Sequence, residues 1–431
     1  MKKHIKGLVS LALCGAMATG MFTGCGASAK GKGSNGKVEL TLFTGKIETI
    51  DSMNDIIDDF NASQDRIKVT QEYQKDASSV IKVKFAANEA PDIMTTYEQE
   101  YADSGKYMDL SGQKQWWDRL NPEMKDMCTD VGTGKQYRVC TNTTNAGFFY
   151  NKEILKSVGY DKFPETYDEF HDMLTKIKDK GITPWFIFGS EAWHLGHLIE
   201  FIPHGYIKQK YGTIDAKKAM LDNDKDKLQY GDPNGAMATF AKNLVQLKDE
   251  GLINKDVLTA TSDNCVQDFV NGKTAMLSNG MWVLSSLQEA DPKIASKIGF
   301  AAYPSYMEDM KPVVLNAEDS GYCISANTKH KKECIEFLNY LFKAKNQKKY
   351  CEAAGSPSAF KDVDAKWAPE NIVKQVKDVT ENSVNIGYTN EKPAGFSGDD
   401  AGRLVQNLLD GQYSPEKFAK EYEDAWNAGI K

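Results

Sequence analysis

The sequence predicts an α/β fold divided between two domains. Three observations predict it. Strand-like alternation and helix-like periodicity succeed one another through the N-terminal region in a β-α-β-α-β rhythm, which implies a largely parallel sheet wrapped by helices. About 395 residues follow a short Gly/Ser/Lys stretch, more than one core normally supports. Beyond the N-terminus no run of about eighteen apolar residues suggests a membrane span.

Met1 to Lys6 is basic, and an apolar stretch from Gly7 to about Met21 follows. That stretch is short and rich in Gly and Ala, as a secretory h-region is. Phe22-Thr23-Gly24-Cys25 resembles the bacterial lipobox, with small residues at the two positions before the cysteine; Phe22 departs from the usual Leu. The resemblance implies a signal peptide over 1–24, cleavage before Cys25, and acyl chains on Cys25 that anchor the protein on the extracytoplasmic face of the cell membrane. Residues 25–37 then read as a lipidated, flexible tether. An ordinary cleaved signal is the competing reading.

Lys37 to Phe43 alternates as a first strand. Met53, Ile56, Ile57 and Phe60 fall at i, i+3, i+4 and i+7, one face of a helix. Arg66 to Tyr73 alternates again, a helix begins near Asp76, and Pro91 to Thr96 is a short strand. Gly147 to Asn151 is followed by a short helix over 152–157. Thr166 and Glu169 form a capping-box pattern ahead of Phe170, Leu174 and Ile177, and Gly181 suits the position just past that helix. Residues 182–260 are rich in helix signals. Thr274 to Met276 is strand-like, and Gly280-Met281-Trp282 starts another helix. Tyr322 to Ala326 is a strand, and Phe337, Leu338, Leu341 and Phe342 share a helix face. Ser414-Pro415 opens a final helix carrying Phe418, Tyr422 and Trp426.

Removing residues 1–24, which hold three lysines and no acid, takes the formal net charge from -7 to -10. Such a body lacks the basic footprint of a nucleic-acid binder. The cysteines beyond Cys25 are far apart and the six histidines complete no zinc spacing, so no metal and no cofactor is expected. Cys323 and Cys334 suit buried apolar positions. Export would permit disulfides, and Cys128–Cys140 is the pair to test.

Three ordered segments are similar to the family 1 extracellular solute-binding proteins, which include the maltose-binding proteins. These are Phe149-Tyr150-Asn151-Lys152-Glu153 with Phe163 to Phe170, then Phe269 to Met276 with Asn279 to Trp282, and the block from Ser320 to Tyr340. The resemblance implies a two-lobe periplasmic-binding-protein fold of type II, each lobe a mostly parallel sheet flanked by helices, with the ligand cleft between them. It implies a first lobe of 38–143 plus 319–355, a second of 144–311 plus 356–431, and a hinge crossing at 312–318. It further implies a monomeric, non-enzymatic carrier that delivers a carbohydrate to the permease subunits of an ABC importer.

Sugars offer hydroxyls in both hydrogen-bonding roles and apolar faces, so a binder wants flat aromatics beside carboxylates or amides. Glu191-Ala192-Trp193-His194 and Trp282 fall where the resemblance places a carboxylate and stacking rings. Lys46 and Thr96-Tyr97-Glu98-Gln99 follow strand ends, where α/β sheets present ligand loops. Thr144 and Asn145 lie at the first crossing, and Glu318 and Asp319 at the second, where two adjacent acids would be wasteful as a solvated face. Tyr388 and Phe396 are candidate rim aromatics. The ligand set is therefore Lys46, Tyr97, Glu98, Thr144, Glu191, Trp193, Trp282, Glu318 and Asp319. Competing readings are core packing for each tryptophan, a polyamine or peptide cargo on the same fold, and a secreted glycoside hydrolase using two carboxylates. Nothing resembling a nucleophile elbow or a phosphate loop is present.

Overall fold

The computed structural model describes residues 36–430, apart from 75, 121 and 394 and the side chains of Pro122, Glu123 and Ser320. The predicted signal peptide, Cys25 and nearly all of the tether lie outside the described residues. No helix among those described is long and apolar enough to cross a membrane.

Among the described residues nine strands share one sheet: β1 (Val38–Thr44), β2 (Ile67–Tyr73), β3 (Ile93–Met94), β4 (Arg138–Asn151), β5 (Thr183–Phe186), β6 (Thr274–Gly280), β7 (Ile298–Ala301), β8 (Val313–Ile324) and β9 (Val384–Ile386). Their order is β2-β1-β3-β8-β4-β6-β5, with β7 on β4 and β9 on β8. The expected β-α-β rhythm holds at β1, β2 and β3, which pair in parallel. The sheet as a whole is mixed: β3–β8, β4–β8, β4–β6 and β4–β7 are antiparallel. This departs from the expected mostly parallel lobes, because two long antiparallel strands run through both of them.

Those strands, β4 and β8, each contribute to two cores. Val139 and Tyr322 pack with Leu40, Ile56, Ile67 and Phe337 in the first lobe. Ala146, Phe148, Val313 and Leu315 pack with Phe170, Trp185, Leu244 and Tyr422 in the second. A third cluster joins Phe149 and Val314 to Phe269, Leu284 and Ile372. Where β4 and β8 pass between the cores their register shifts, around Cys140–Asn142 and Asn142–Thr143. Beside this break, Thr143 N donates to Pro357 O at 2.9 Å and Ala359 N donates to Thr141 O at 3.0 Å. Ala359 and Phe360 pack in the first-lobe core, whereas Ile372 and Val376 pack in the third cluster.

The helices follow the sequence periodicity. Ile50–Ser63 buries Met53, Ile56, Ile57 and Phe60, each burial contributing roughly 1.5–3 kcal/mol. Asp76 caps Ala77–Ala86 by accepting from Ser79 N, and Ser414 caps Pro415–Ala428 with proline in its first turn. Thr166 caps Tyr167–Asp179, while reciprocal capping boxes are recorded at Thr261–Asn264 and Ser397–Asp400. Helices Ala192–Ile199 and Gly398–Leu409 touch backbone to backbone. A Cβ on Gly402 would lie 1.8 Å from Ala192 O, and one on Gly196 would lie 2.3 Å from Gly398 O. Six cysteines, Cys128 and Cys140 among them, are buried free thiols.

Candidate functional site: the interlobe cleft

The floor of the cleft is the irregular crossing of β4 and β8. Ser320 pairs with Asn142 and Glu318 with Thr143, so Asp319 is an extra residue in β8. Adjacent strand residues normally face opposite ways; a bulge re-aims one of them. Glu318 and Asp319 both line the cleft in consequence.

Neither acid stands alone. Asp319 contacts Lys46 Nζ and accepts from Asn142 Nδ2 at 2.8 Å. Glu318 contacts Arg138 Nη2, and its Oε1 also accepts from Asn390 Nδ2 at 2.9 Å. Its buried Oε2 has no hydrogen-bond partner among the described residues. Burial pulls Lys46 toward its neutral form, but Asp319 and Glu48 outweigh that and hold it protonated. The Arg138 guanidinium lies 4.4 Å from the Tyr97 ring centroid, a cation–π contact. Tyr97 in turn stacks on Tyr107 at 5.5 Å. Tyr107 fixes the loop after β3 by donating to Thr96 O and accepting from Glu98 N. Burial pushes the Glu98 carboxyl above its ordinary value.

The opposite wall is aromatic. Trp193 sits in the first turn of Ala192–Ile199, and Trp282 follows β6. Their centroids lie 6.5 Å apart at 61°. His197, one turn beyond Trp193, lies 5.1 Å from Trp193, 6.1 Å from Trp282 and 5.3 Å from Tyr388. Desolvation lowers the His197 pKa to about 4. Gly280 gives Trp282 its place: a Cβ there would lie 1.9 Å from the indole. The chamber between floor and wall is about 700 Å³. It continues past Tyr97, Trp193 and Tyr388 into a second chamber of about 610 Å³, reaching Lys82 and Glu98 on one side and Phe396 and Arg403 on the other. Each falls within the usual range for a small-molecule site.

Seven of the nine predicted residues line these chambers: Lys46, Tyr97, Glu98, Trp193, Trp282, Glu318 and Asp319. Two do not. Thr144, paired with Ala317 in β4, is buried and lines neither chamber. Glu191 lies beside Trp193, accepting from its indole Nε1 at 2.9 Å and from Ser262 N at 3.0 Å; it orients the ring instead of lining the cleft. Tyr388 belongs to the wall itself and Phe396 to the second chamber. Sequence reasoning missed Arg138, His197 and Asn390. His197 had a signal, since i+4 from Trp193 is the same helix face. Among the described residues no group of His, Cys, Asp or Glu is placed to hold a metal ion.

A family model for bacterial extracellular solute-binding proteins matches residues 46–348. A multiple sugar-binding protein of Streptococcus mutans is 28% identical over 354 residues, covering 80% of each chain. A melibiose/raffinose/stachyose-binding protein of Bacillus subtilis is 24% identical over 416 residues, covering 94% of this chain and 93% of that one. The crystal structure of a Bacillus licheniformis sugar transporter protein in complex with stachyose superposes with a TM-score of 0.73 at 25% identity, covering 91% of this chain and all of the other.

Proposed function

The chain belongs to the bacterial extracellular solute-binding protein family, and from that premise we propose that it captures a neutral oligosaccharide between its lobes for an ABC importer. One observation carries the reading: an aromatic wall faces a floor whose charges are already matched. Stacked rings suit the apolar faces of sugars, and carboxylates held in place accept from hydroxyls. Glu318 and Asp319, which line the chamber, supply such carboxylates. A polyamine would want acids without counter-ions, yet Asp319 faces Lys46 and Glu318 faces Arg138. A hydrolase would want two carboxylates flanking a scissile bond; here the floor acids are neighbours in one strand and each is tied to a cation. Two chambers in series favour more than one sugar unit.

Calorimetry with raffinose, stachyose and spermidine tests this. Binding of either sugar and none of spermidine is expected; the reverse pattern sinks the carbohydrate reading. Appearance of shorter sugars after incubation would overturn capture without chemistry.

The ligand set within this reading is Lys46, Tyr97, Trp193, Trp282, Glu318 and Asp319, joined by Arg138, His197, Tyr388 and Asn390, with Glu98 in the second chamber. The irregular crossing of β4 and β8 serves as hinge, and the third crossing falls between Phe360 and Glu370, beyond the expected boundary at 355. Ligand touching both lobes favours the closed form, so scattering should give a smaller radius of gyration at saturation. The proposal includes diacylation of Cys25 after cleavage at Gly24. A Cys25→Ala chain should then leave the membrane fraction; if it stays there, the anchor is elsewhere.

A further inference from the structure

We propose that Glu200 and Lys208, nearly buried on the helical segment that continues from the aromatic wall, are positioning residues that set the loop Gly387–Lys392 so that Tyr388 and Asn390 meet the cargo. The proposal rests on the oligosaccharide reading of the cleft.

The helix carrying Trp193 and His197 does not end at Ile199. It continues through a wide π-helical turn, Glu200–His204, and on into Gly205–Tyr211. Pro203 lies inside the wide turn and supplies no N–H to a regular ladder, which favours such an interruption. Glu200 and Lys208 on this segment are 4% and 2% exposed, Glu200 at the margin of the 610 Å³ chamber.

Their partners are the loop. Glu200 Oε2 accepts from Thr389 N at 3.1 Å and from Thr389 Oγ1 at 2.7 Å. Glu200 Oε1 accepts from Lys392 Nζ at 2.8 Å. Lys208 Nζ donates to Gly387 O at 2.6 Å and to Glu200 Oε2 at 3.3 Å. Residues 387 and 389 are thus tied to the helix, while Tyr388 and Asn390, and neither of those two, line the chamber above the floor acids. Tyr388 then closes the wall against His197, and Asn390 reaches the floor by donating to Glu318.

Energetics argue for a role beyond holding the lobe together. Burying a carboxylate with ammonium groups is often no more stabilising than packing apolar side chains in the same volume. What fixed charges supply, and greasy contacts do not, is a single backbone geometry with directed hydrogen bonds. Here the segment that presents Trp193 also dictates where Tyr388 and Asn390 sit, so wall and loop stay in mutual register.

Two readouts test this on the full mature chain: raffinose affinity by calorimetry, and backbone hydrogen exchange over 386–392 without sugar. Glu200→Gln should accelerate exchange in that segment and weaken raffinose binding about tenfold, on the scale of one charge-assisted hydrogen bond. Asn390→Ala should cost much less affinity in the Glu200→Gln background than in the native chain, because its amide is already misplaced. A merely structural role would leave those two losses independent. Thr389→Val, which deletes only the hydroxyl contact, should shift both readouts in the same direction and decides the matter if Glu200→Gln does not fold. Unchanged exchange over 386–392, unchanged affinity, or fully multiplicative losses would overturn the proposal. If the native chain binds no sugar, the cargo reading falls, and the exchange measurement still tests the placement of the loop.

Discussion

The two sides of the cleft are built from different materials. The second lobe offers Trp193, Trp282, His197 and Tyr388, rings locked against one another at centroid separations of 5.1–6.5 Å. The floor and first lobe offer Lys46, Asp319, Arg138 and Glu318, charges locked in pairs. Rings can be removed with a loss confined mostly to the ligand, because a stacking face is replaced by water. The Arg138–Glu318 pair cannot, because the partner left behind is an uncompensated, nearly buried ion. Damage on the aromatic side should therefore show in affinity, and damage on the charged side first in stability.

The largest effect is expected from Arg138→Met, which leaves Glu318 buried beside no cation. It should cost about 3–5 kcal/mol of folding stability in urea titrations. A variant as stable as the native chain would break the contrast between the walls. Trp282→Ala comes next. Calorimetry should register about 2–4 kcal/mol lost from oligosaccharide binding, the scale of a central aromatic anchor, with a smaller stability change. Gly280→Ala sharpens the point without removing the ring. Its new methyl would displace the indole at an overpacking cost of about 1–3 kcal/mol, and affinity should fall while the tryptophan remains.

The smallest effect concerns protons. The His197 pKa is lowered from 6.5 to about 4 by desolvation. Between those values the unfolded chain binds a proton that the folded chain refuses, so stability rises with pH across that window and is lost as pH falls through it. His194 and His204 are lowered too, burial being the first cause in each. His197→Asn should thus make the slope between pH 6.5 and 4 shallower without abolishing it. Thermal unfolding across that range measures it, and an unchanged slope would mean that the wall does not exclude the proton.

The rings were legible in the sequence for a local reason. Trp282 follows a Gly-Met step after a strand, and Trp193 opens a helix after a loop, so their neighbours already mark them as candidates. Glu318 and Asp319 stood out as an acidic pair in a strand-like run. Arg138 did not, since its meaning depends on Glu318, 180 positions away. Asn390 shares that fate, its partner lying 72 residues earlier. Thr144 lines neither chamber, and local sequence does not tell which face of a crossing strand the fold leaves open.

The sequence by itself determined the alternation of strands and helices, the caps, the apolar faces and the family, since each is written in residues a few positions apart. The tertiary structure alone decided that β4 and β8 serve two cores at once, that a bulge turns both floor acids toward the cleft, and that every floor charge has a partner. Those features depend on pairings between distant segments, and local periodicity carries no information about which distant strand arrives or in what register.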